Sequence, residues 1–113
     1  MNSISTLLAL ALAAPAAAQT QVQMDEQASA SFRRADAALN VRYRDLMAQA
    51  RTVPGEADVL LAAQRAWLAY RDAECARQSF AARGGSLHAL VEIGCRDTLT
   101  RQRTGQLQWR ARP

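Results

Sequence analysis

Two cysteines placed symmetrically about a double glycine constrain this chain more than any other feature. Cys75 lies nine residues before Gly84, and Cys95 lies nine residues after Ser86. If the chain folds back at Gly84–Ser86 as two antiparallel helices, both sulfurs reach the same height. The spacing therefore predicts a bridgeable pair, provided the two faces meet. The stretch before the first cysteine, Leu60–Cys75, supports this. At 100° per residue Leu60, Leu61, Gln64, Trp67, Leu68, Arg71, Cys75 and Gln78 share one side. Gln64 and Arg71 on that stripe are costly to bury unless partners meet them.

The start of the chain reads as an export signal. Met1–Ala18 holds no charged side chain, an apolar run from Leu7 to Ala14, and the small residues Ala16 and Ala18 in the pattern signal peptidase needs. Cleavage is expected after Ala18, leaving a domain of residues 19–113. The apolar run is shorter than the ~20 residues that span a bilayer, and no cysteine follows it to carry a lipid, so no anchor is expected after cleavage. Periplasmic or secreted proteins keep their disulfides. In so small a domain a covalent clamp matters: closing a loop of this length stabilises by about 3 kcal/mol on the chain-entropy model.

Along the remaining chain the periodicity is helical throughout. Gln19–Met24 reads as a frayed polar lead. From Asp25 onward Phe32, Ala35, Leu39, Tyr43, Leu46, Met47 and Ala50 recur at three- and four-residue steps, with Arg42, Arg44, Asp45 and Arg51 on the wet side. Asp36 and Asn40 flank the stripe as candidate buried acceptors. Val53-Pro54-Gly55 breaks the helix. A second helix is expected from Glu56 to Arg83, ended by Gly84-Gly85, and a third from Leu87 to Trp109 with Ser86 as N-cap. Gly94, Thr98 and Gly105 make a small face suited to close helix approach. No strand-like alternation or internal repeat interrupts this. The expected fold is all-α, a small three-helix bundle whose second and third helices form a hairpin stapled by one disulfide.

Four motifs together resemble the N-terminal domain family of LprI-like lysozyme inhibitors. They are L-N-x-x-Y-x-x-L (Leu39, Asn40, Tyr43, Leu46), Q-x-x-W-x-x-Y-R-D-x-x-C (Gln64, Trp67, Tyr70, Arg71, Asp72, Cys75), G-G-S (Gly84, Gly85, Ser86) and C-x-x-x-L-T-R (Cys95, Leu99, Thr100, Arg101). The resemblance implies a small secreted or periplasmic helical domain, with lysozyme inhibition attributed to the family's namesake. Relatives typically carry a further cysteine pair near the first helix, including M-x-x-C. Here Met24 is followed by Asp25, Glu26 and Gln27, so this chain keeps one bridge of two.

Neither catalysis nor a cofactor or metal site is expected. His88 is the single histidine, and a catalytic or metal role would need companions that the sequence does not supply. Ser86 is too near it in sequence to form a nucleophile–base pair. The plain expectation for His88 is an exposed residue at a helix start. Arg71 admits two readings: a guanidinium presented to a partner's carboxylate or phosphate, or an inward one forking onto Asp36 or Asn40. Its place beside Trp67 and Cys75 favours the second, and Trp67 reads as a core anchor.

All 14 basic residues are arginine and the net charge is +4. The excess falls in the last third. Arg96, Arg103 and Arg110 recur every seven residues, expected as an outward stripe opposite Leu87, Val91 and Thr98. Such a stripe is either a solvated face or a contact for a polyanion: lipopolysaccharide, anionic lipid or an acidic protein cleft. Nucleic acid is not an expected partner of an exported chain. Two functions follow. One is a non-enzymatic binding domain that blocks a lysozyme or other cell-wall hydrolase, with His88 and these arginines as candidate contacts. The other is a structural envelope domain that uses the stripe on anionic surfaces.

Overall fold

The computed structural model describes residues 16–109, with side chains from Thr20 onward, and the described residues are helical with no strand. The chain runs α1 (Ala16–Ala50), α2 (Glu56–Ser79), a short 3-10 turn (Phe80–Ala82) and α3 (His88–Gln106). Most of the expected leader lies outside the described residues. The expected cleavage after Ala18 falls inside α1 as it stands, and in the uncleaved chain Gln19–Met24 is part of that helix. The 35 residues of α1 make a rod of about 50 Å at 1.5 Å per residue.

The first turn forms where proline and glycine demand it. Thr52 donates from its backbone N and its Oγ1 to the Gln49 carbonyl, and Gly55 adopts φ +83°, a left-handed conformation that costs glycine nothing. The second turn follows the same logic. α2 tightens into the 3-10 turn, Arg83 donates to the Phe80 carbonyl at 3.0 Å, and Gly84 takes φ +76°. Two helix boundaries differ from expectation. Leu87, not Ser86, is the N-cap of α3, with no side-chain cap. At the other end α3 stops at Gln106, because Leu107 leaves helical geometry and tucks into the core at 3% exposure, which leaves Trp109 outside the helix.

α3 is the central element: it packs along both other helices, while α1 and α2 touch much less. It runs parallel to α1, as Ser31 on Asp97 and Leu46 beside Gln108 show, and antiparallel to α2. The core is thin and made of small side chains: Ala35, Leu39, Met47 and Ala50 from α1, the two cysteines, and Leu107. The expected α1 stripe is thus the buried one. On α2 the stripe narrows to Gln64, Arg71, Cys75 and Ser79, while Leu68 and Gln78 reach solvent.

The phase of α3 is the reverse of that expected. Leu87 and Val91 are 50% and 39% exposed, Gly94, Thr98 and Gly105 face outward with them, and a Cβ on either glycine would meet nothing within 4 Å. Cys95, Thr100 and Leu107 form the inner face instead, with Arg96 and Arg103 beside them.

Cys75 and Cys95 are bonded, their Cα atoms 5.5 Å apart and 20 residues apart in sequence. With so little apolar core, that closure is a large part of stability. Replacing both cysteines by serine is expected to cost about 3 kcal/mol in equilibrium urea unfolding. An unchanged midpoint would show that the bridge adds nothing.

Candidate functional site

The polar residues of the three helices converge on Trp67 and Arg71. Arg71 occupies the position one turn after Trp67 on the inner stripe of α2, so both side chains point at the same gap between α1 and α3. The guanidinium carbon of Arg71 lies 5.3 Å from the Trp67 ring centroid and 5.5 Å from that of Phe32 on α1, within cation–π range of both. Arg71 Nε donates to Asp72 Oδ1 at 3.0 Å, and Nη1 donates to Thr100 Oγ1 of α3 at 3.4 Å with Asp36 Oδ1 of α1 at 4.0 Å. The arginine is therefore inward, at 7% exposure, and of the two expected acceptors it pairs with Asp36 and not Asn40, while its hydrogen bonds go to Asp72 and Thr100. Asn40 is exposed and donates to Asp36 at 3.4 Å.

A second arginine reaches the same ring from α3. Arg103 Cζ is 5.8 Å from the Trp67 centroid, and its Nε donates to the buried Gln64 at 3.0 Å. Burial pulls the Arg103 guanidinium below its ordinary pKa. Arg96 reaches across to Asp72 at 3.3 Å and back to Glu92 at 2.8 Å. Arg96 and Arg103 thus hold α3 to α2 and do not form an outward stripe. Arg110 lies outside the described residues. These cations are engaged by side chains of the fold, every buried side-chain polar atom described has a partner, and the described residues contain no group of three metal-ligand side chains.

The remaining motif residues divide between core and surface. Leu39 and Thr100 are fully buried, and Tyr43 and Leu99 are half-buried. Tyr70 is 56% exposed, and Gly85 and Ser86 sit on the open hairpin turn. Arg101 pairs with Asp97 and donates to Ser31 of α1 at 2.9 Å. His88 is half-buried rather than exposed. Sequence reasoning missed Ser31, Asp97 and the fully buried Ser79, whose hydroxyl donates back to the Ala76 carbonyl. Ser79 lies four residues beyond Cys75 on the same face, which is the signal that marked it.

Fold and site together define a disulfide-clamped, three-helix domain whose central arginines are structural. The model of the family described as lysozyme inhibitor LprI matches residues 12–107, and the chain belongs to that family. It is 38% identical over 92 residues to an uncharacterized protein of Rhizobium meliloti (strain 1021), a match that covers 72% of this chain and 66% of the relative. The chain thus spans about two thirds of that relative's length. No solved structure is a significant match.

Two measurements test this account. Truncating Arg71 to alanine removes both ring contacts and the bond to Thr100, and should cost about 2–4 kcal/mol in chemical unfolding. Arg71→Lys keeps the charge but not the planar fork and should recover less than half of that. On the outer side of α2, Arg77 donates to both carboxylate oxygens of Glu74. That bond, with a smaller contribution from Gln78, lowers the Glu74 pKa from 4.5 to about 2. A depressed carboxylate stabilises the fold above its unfolded value, and that stability is lost as pH falls toward 2. An NMR titration should place the Glu74 midpoint near 2, and Arg77→Ala should return it toward 4.5.

Proposed function

We propose that this chain is an exported, non-enzymatic binding domain that inhibits a lysozyme or another cell-wall hydrolase by occupying it. Family membership over residues 12–107 is the observation that carries the reading. The Cys75–Cys95 bond supports an oxidising compartment, periplasmic or extracellular, with the leader ending at Ala18 and the domain occupying residues 19–113. Among the described residues, no helix is long and apolar enough to cross a membrane.

Charge shapes how such a complex would form. The chain carries +4, and many lysozymes are themselves basic, so the two would repel at long range. Association would then depend on local complementarity and would speed up as salt screens the repulsion. The alternative use of Arg96, Arg103 and Arg110 on anionic envelope surfaces has less support, since Arg96 and Arg103 are engaged within the fold.

A turbidity assay on peptidoglycan with oxidised residues 19–113 tests the proposal. Hydrolysis by a chicken-type lysozyme should fall to background at molar excess of the domain, with an association rate that rises between low and moderate salt. Undiminished hydrolysis by lysozymes of several classes overturns the reading.

A further inference from the structure

Where α1 meets the start of α2, beside the first turn, the surface opens into a groove of about 490 Å³ lined by Tyr43, Arg44, Met47, Arg51, Asp58 and Leu61 among others. That volume lies in the range of roughly 300–1,000 Å³ typical of ligand sites. Its floor is apolar: Met47 is 8% exposed and Leu61 half-buried. One wall is cationic. Arg44, near the end of α1, and Arg51, the first residue past it, stand seven residues apart, and both are exposed.

What separates these two from the arginines around Trp67 is the lack of any partner. Arg71, Arg77, Arg96 and Arg101 are all ion-paired, and Arg103 is bonded to Gln64. Neither the Arg44 nor the Arg51 side chain has an ion pair or hydrogen bond among the described residues. Asp58 on the facing wall is likewise unpaired and exposed, so the groove lies between two cations and a carboxylate over an apolar floor.

We propose that this groove docks a short acidic segment of a partner protein, with two of the segment's carboxylates on Arg44 and Arg51 and an apolar side chain on the Met47–Leu61 floor. Arginine forks match carboxylates in two-point geometry. The recess and Asp58 both disfavour a flat, uniformly anionic membrane, whereas a peptide brings backbone N–H donors for Asp58 together with its carboxylates. The inference deepens the proposed function, because it rests on the domain's being a protein-binding module.

Panning random displayed peptides on the oxidised domain tests it without assuming any hydrolase. Recovered peptides should be rich in Asp and Glu flanking an apolar residue. Their affinity should fall about tenfold in the Arg44→Ala/Arg51→Ala variant, as expected for two lost charge pairs. It should change by less than about twofold in Arg33→Ala/Arg34→Ala, which removes the same charge from elsewhere on α1. All four positions are exposed, so circular dichroism should show both variants folded. Equal losses in the two variants, peptides without acidic residues, recovery of no binder, or tighter Arg44/Arg51-dependent binding to phosphatidylglycerol vesicles would each overturn the groove assignment. Failure to inhibit any lysozyme would leave it standing, whereas lysozyme inhibition that survives Arg44→Ala/Arg51→Ala would remove the groove and keep the inhibitor.

Discussion

The guanidinium of Arg71 touches all three helices. It lies between the rings of Phe32 on α1 and Trp67 on α2 and donates to Thr100 on α3. Taking an arginine out of water is expensive, and a single ion pair seldom repays that cost. Here two aromatic faces, a hydroxyl and the half-exposed carboxylate of Asp72 share the compensation. The surrounding core explains why such a device is needed. Its apolar members are mostly alanines, cysteines and single Leu or Met side chains, too little surface to fix the position of three helices by burial alone.

The hairpin of α2 and α3 is organised as a series of rungs. Cys75 meets Cys95 nearest the double-glycine turn. Arg71 then meets Thr100, and Gln64 meets Arg103 farthest from the turn. Covalent, mixed polar and amide–guanidinium contacts follow one another along one antiparallel seam. α1 closes the other side of α3 through Ser31, which donates to Asp97 and accepts from Arg101. Four of the 14 arginines, Arg71, Arg96, Arg101 and Arg103, are engaged in this way. A net charge of +4 therefore says little about where a partner would land, and arginines away from the seam, Arg44 and Arg51 among them, have no side-chain partner among the described residues.

Much of this was legible beforehand, and the part that was not has a definite cause. The α1 stripe, the bond between Cys75 and Cys95, the left-handed Gly84 and the inward Arg71 all follow from periodicity, spacing and glycine chemistry. α3 was placed with the wrong face inward because Leu87 and Val91 are its obvious hydrophobes and arginine is ordinarily a surface residue. Yet Arg103 lies eight residues beyond Cys95, on the same helical face, so the disulfide itself turns Arg103 toward α2. An aromatic ring one helix away makes that position tolerable, and no pattern within α3 reveals the ring.

Helix number, the two turns, the disulfide register and the small size of the core were settled by the order of residues, since each depends on contacts within a few residues or on one fixed spacing. Which arginines are buried, which hydrophobes are left in solvent and where an unpaired cationic groove opens were decided only by the assembled bundle. Those outcomes depend on rings, hydroxyls and carboxylates brought together from helices distant in sequence, and the energy of a buried charge is set by those neighbours rather than by its own position in the chain.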